Sequence, residues 1–134
     1  MLRGVIRLIR GLLGLPIAIR LWLVILVGLN MIVPLFFLDR PEARITVVTM
    51  LVAASLMVIL TRAFGFTRVL GAAHVVWLGL IPYLWMRLAS VPAQDPYGYW
   101  LRAVMVANTI SLVFDIADVV RYARGDRAPI VDGV

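Results

Sequence analysis

Four long apolar stretches, set off by arginines, dominate this chain. A bilayer core takes about 20 apolar residues as a helix. In lipid such a segment must be helical, because its backbone groups find no water to bond. The expected spans are residues 17–38, 45–66, 69–88 and 100–121. The last is the least apolar, since Arg102, Asp115 and Asp118 fall inside it. Pro34 and Pro82 fall within spans and are expected to kink them. The fold class implied is all-α, a polytopic integral membrane protein with four transmembrane helices.

Composition agrees with that reading. The 134 residues suit one membrane domain, 1–134. They are 63% hydrophobic and only 15% charged. Net charge is +6, and all 13 basic residues are arginine. Inside this apolar frame, such a balance points to anionic lipid headgroups as partners and not to nucleic acid. Cysteine is absent, which excludes disulfide, thiolate and iron–sulfur chemistry.

The arginines also assign a direction. With the N-terminus inside, Arg3, Arg7, Arg10, Arg20, Arg62, Arg68, Arg121, Arg124 and Arg127 share the cytoplasmic side. Arg40, Arg44, Arg87 and Arg102 fall outside. That bias predicts cytoplasmic termini at both ends. Residues 1–15, "MLRGVIRLIRGLLGL", are too short to span. Arg3, Arg7 and Arg10 recur at helical spacing, with Leu2, Val5, Ile6, Ile9 and Leu13 mostly around the other side. The pattern predicts an amphipathic helix on the cytoplasmic surface, with the three arginines on lipid headgroups. Residues 122–134 read as a cytoplasmic tail that docks on a partner or is disordered, with Pro129 barring further helix. Tyr97, Tyr99 and Trp100 suit the outer interface.

Ionisable groups within spans are costly and mark candidate sites. Arg20, His74 and Asp115 fall at similar depth in the inner leaflet, and Asp118 lies nearer the boundary, within reach of Arg62 or Arg68. The expected pair is Arg20 with Asp115, with His74 nearby. Ala103, Ala107, Ser111 and Asp115 follow one another at four-residue steps, which suggests a small-residue face for helix packing. Asn30 and Asn108 are expected to join helices. Thr46, Thr49, Ser55 and Thr61 are expected to bond their own backbone.

No nucleophile elbow, phosphate loop or metal-ligand spacing occurs, so no cofactor, metal or catalytic residue is expected. The chain reads as a non-enzymatic accessory or scaffold subunit of a larger membrane complex, in contact with other subunits or with itself. A homo-oligomeric transporter or channel using Asp115 and His74 is the alternative. A lipid-headgroup-binding protein or enzyme is a second. Compactness and arginine-only basic content suggest the inner membrane of a bacterium.

Overall fold

A computed structural model describes all of residues 1–134, and every regular element in it is helical. A short helix, α1 (Leu2–Leu13), precedes four helical segments long and apolar enough to cross a membrane. These are α2 (Ile17–Phe37), α3 (Pro41–Phe64), α4 (Arg68–Ser90) and α5 (Pro96–Ala123). They run up, down, up and down. One end of the bundle, the loop end, carries the α2–α3 and α4–α5 connections. The other, the terminal end, gathers α1, the α3–α4 turn, the close of α5 and the tail.

Proline sets where two spans begin. Pro41 and Pro96 each occupy the first turn of a helix, preceded by extended residues Arg40 and Asp95. A proline there sacrifices no intrahelical bond. Both helices therefore start four residues before the stretches at 45 and 100, and Glu42 and Tyr97 become part of them.

The apolar core joins α2, α4 and α5 through Leu26, Trp77, Leu80, Leu84, Leu101 and Val104, with Ala43 of α3 beside them. Much of the remaining apolar surface points outward, as on a helix that faces lipid: Val24, Leu51, Leu78 and Val113 are all more than half exposed.

The interior prolines behave differently from one another. Ahead of Pro34, α2 widens into a π turn over Gly28–Ile32 and then tightens into a 3-10 stretch, Val33–Phe37. In a π turn the Leu29 carbonyl would accept from residue 34, but proline has no N–H to give. The Trp100 indole fills that role, its Nε1 donating to the Leu29 carbonyl at 2.7 Å. Pro82, by contrast, lies inside the α-helical stretch Trp77–Arg87. The break in α4 falls instead at His74, whose backbone is non-helical (φ −89°, ψ 17°), within the 3-10 run Arg68–Val76.

Near one end, α1 is held by protein contacts. Its Gly4, Leu8 and Gly11 are buried, and a Cβ at Gly4 would come 2.9 Å from the Val58 carbonyl of α3. Leu8 and Leu15 pack with Phe66 and Leu70. Arg3, Arg7 and Arg10 occupy a second face, and the exposed apolar residues Leu2, Ile6, Ile9 and Leu13 a third.

The tail folds back on its own chain. Ile130 N–H donates to the Phe66 carbonyl at 2.9 Å. Val131 and Val134 join the Leu8–Phe66 cluster. The tail thus docks on the chain's own body.

Candidate functional site

Polar groups within the bundle form three layers. In the middle, α2 meets α5. Asn30 and Asn108 are wholly buried and exchange two amide hydrogen bonds, at 2.7 and 2.8 Å. Asn30 also donates to the Leu26 carbonyl at 2.9 Å. One step toward the terminal end, Trp22 Nε1 donates to Ser111 Oγ at 2.8 Å. These bonds tie the first span to the last, where an unmatched amide would cost about 1–3 kcal/mol.

At the loop end sits a buried carboxylate. Glu42 is 2% exposed. Tyr97 Oη donates to its Oε2 at 2.7 Å and Arg87 Nε to its Oε1 at 2.9 Å. The Arg40 guanidinium lies over the Tyr97 ring, 4.8 Å from its centre. Phe37 packs edge-on to the same ring. Three spans, α3, α4 and α5, therefore meet on one acid. The expected span 45–66 leaves Glu42 outside the helix, and Tyr97 reads from sequence as an interfacial ring. The available signal was Pro41: an acid just after a helix-starting proline belongs to the first turn and turns with the helix.

At the terminal end, Asp118 accepts from Arg68 Nη1 at 2.8 Å, and Asp126 of the tail accepts from Arg68 Nε at 3.1 Å. Arg121 also reaches Asp126, at 3.2 Å. Of the two arginines within reach of Asp118, the partner is Arg68. Arg121, three residues along, goes to the tail.

Deeper on the same side, Asp115 Oδ2 lies 3.0 Å from His74 Nδ1. The two atoms are close but not aligned as a hydrogen bond, and neither has another partner. The His74 ring rests against Trp77, 4.3 Å between centres, and the Trp77 indole N–H is likewise buried without a partner. Gly71 brings α4 onto α5 at this level, since a Cβ there would fall 2.6 Å from the Asp115 carbonyl oxygen.

Two expected arrangements are corrected. Arg20 does not meet Asp115: it is exposed and belongs to none of the ion pairs. The reason is angular. Trp22, Leu26 and Asn30 turn toward α5, and a residue two positions before Trp22 points about 200° away. Depth alone suggested the pair; azimuth prevents it. The face of α5 also differs. Ala107 and Ser111 are buried, but Ala103 is exposed. A four-residue step overshoots the turn by about 40°, so a long i+4 row drifts off the interface. The packed row alternates steps of four and three: Tyr97, Leu101, Val104, Asn108, Ser111, then Asp115.

Arg3, Arg7 and Arg10 all lie on the exposed side of α1, along a groove closed by Gly133 and Val134 of the tail. Thr46, Thr49, Ser55 and Thr61 each donate to a carbonyl of their own helix.

Fold and site together define an all-helical protein with four apolar helices of membrane-spanning length, tied by internal polar pairs. No known protein family, curated protein or solved structure matches the chain.

Proposed function

We infer that this chain is an accessory or scaffold subunit of a larger membrane complex, without chemistry of its own. The observation that carries the reading is how the interior polar groups are used. Asn30–Asn108, Trp22–Ser111, Trp100–Leu29 and Glu42 with Tyr97 and Arg87 are all seams between the chain's own helices. Such pairs fix one helix arrangement and leave the outer faces for lipid and partner helices. Between α4 and α5 an outer groove of about 250 Å³ is walled by Trp85, Leu88, Met105, Val106 and Ile110. Its two polar residues are turned back onto the backbone: Arg102 bonds the Gly98 and Val91 carbonyls, and Thr109 the Met105 carbonyl.

The arginine bias supports cytoplasmic placement of the terminal end, with both termini inside, in a bacterial inner membrane. Native mass spectrometry after mild extraction from the source cells tests the reading. A defined heteromeric complex is expected. The free chain, or a homo-oligomer alone, would overturn it.

One observation favours a second reading, a homo-oligomeric transporter or channel. His74 and Asp115 present Nδ1 and Oδ2 to each other with no other partner, and ionisable pairs at membrane depth serve as proton relays elsewhere. Proton flux into vesicles, lost in Asp115→Asn, would support that reading; equal flux with and without protein would remove it.

A further inference from the structure

The groove at the terminal end has features of a built anion site. Arg3, Arg7 and Arg10 line one wall, at four- and three-residue steps along α1. Gly133 and Val134 of the folded-back tail form the other, and Ile6, at the edge of the exposed apolar face, also lines it. The volume is about 350 Å³, ample for a phosphate group with its substituents.

Three facts set this groove apart from a general arginine surface. First, three arginines that hold no acid line one groove together, whereas Arg68, Arg87 and Arg121 hold acids and Arg20, Arg62 and Arg124, also without one, do not line it. Second, the wall is rigidly mounted. Gly4 and Gly11 seat α1 directly on α3 and Phe66, and the Arg7 guanidinium lies over Gly65, at the turn that ends α3. The Arg7 guanidinium, already set against Gly65, loses less freedom on binding. Third, the neighbouring face of α1 is apolar and exposed: Leu2, Ile6, Ile9 and Leu13 are 44–73% accessible. A ligand with a charged head and apolar chains matches both faces at once.

We propose that this groove binds the phosphodiester headgroup of an anionic phospholipid, with Arg3, Arg7 and Arg10 as the phosphate contacts and the exposed apolar face of α1 alongside the acyl chains. Planar guanidiniums suit phosphate oxygens through paired N–H donors. The site stands apart from the accessory-subunit reading, since it needs no partner protein.

The test uses the full chain purified in a neutral detergent, with native mass spectrometry to count retained lipid. Dihexanoyl-phosphatidylglycerol, dihexanoyl-phosphatidylcholine and inorganic phosphate are the probes. One saturable phosphatidylglycerol is expected, with phosphatidylcholine far weaker. Arg3→Gln/Arg10→Gln should weaken that binding at least about tenfold. Arg20→Gln/Arg124→Gln removes the same charge from the same end and should leave it within about twofold, as expected for distant exposed charges. Arg7→Gln is a second variant should the first fail to fold, judged by an unchanged unfolding midpoint. Equal losses in the groove and control variants would reduce the effect to net charge and overturn the site. Inorganic phosphate binding as tightly as the lipid would overturn the lipid assignment and leave a free-phosphate site. Non-saturating binding would overturn both.

Discussion

Glu42 at the loop end and Asp115 toward the terminal end are both acids inside spanning helices, yet their surroundings differ. Glu42 has each oxygen committed, to Tyr97 and to Arg87, and is almost fully enclosed. Asp115 meets only His74, without hydrogen-bond alignment, and its side chain is 20% exposed. Toward the same end of the bundle lie more charges: the Arg68–Asp118–Asp126 chain and, along α1, arginines that hold no acid. A buried ion pair needs several hydrogen bonds to offset the loss of water. The loop end meets that condition and acts as a structural knot. The terminal end leaves charge available, so an external anion or a proton has something to act on there.

Arg87→Met should have the largest effect on this contrast. It leaves the Glu42 carboxylate with Tyr97 alone. Removing one partner of a buried acid is strongly destabilising, and the 43% exposure of Arg87 tempers the loss. A lower midpoint of unfolding in micelles checks it; no shift would mean the knot is not structural.

Asn108→Leu comes next, at about 1–2 kcal/mol, because Asn30 keeps only its bond to the Leu26 carbonyl. Replacing both asparagines with leucine should recover part of that loss. A double variant as damaged as the sum of the singles would show that the two amides are not coupled.

Asp118→Asn is expected to cost less than about 1 kcal/mol, since Arg68 retains Asp126 and the pair is partly exposed. Its effect should shrink further in high salt, where such pairs are screened. Unfolding midpoints at two ionic strengths decide the matter. Arg20→Gln is the smallest, within about 0.5 kcal/mol. A loss as large as that of Asn108→Leu would bring back an Arg20–Asp115 pair and erase the contrast between the ends.

Much of the fold is legible in the residues. Apolar length marks the four spans, and Asn30 and Asn108, polar residues in otherwise apolar helices, announce a helix–helix bond. The self-bonded threonines and serine follow from local chemistry. The site was only half legible. His74 and Asp115 were expected near each other, because depth along a helix follows from residue count. The partner of each acid was not, because depth says nothing of azimuth, and Glu42 was hidden by a four-residue error in where α3 begins.

The sequence by itself determined the number of apolar helices and the arginine-rich end, since each follows from transfer of side chains between water and lipid, a one-dimensional quantity along the chain. Only the tertiary structure decided which helix faces meet. It put Tyr97 and Arg87 on Glu42, set Trp100 on the carbonyl that Pro34 cannot serve, turned Arg20 outward, and laid the tail beside Arg3, Arg7 and Arg10. Those choices depend on rotation and close approach between helices distant in sequence. At Gly4 and Gly71 the absence of one carbon permits the contact, and no periodicity along a single helix records it.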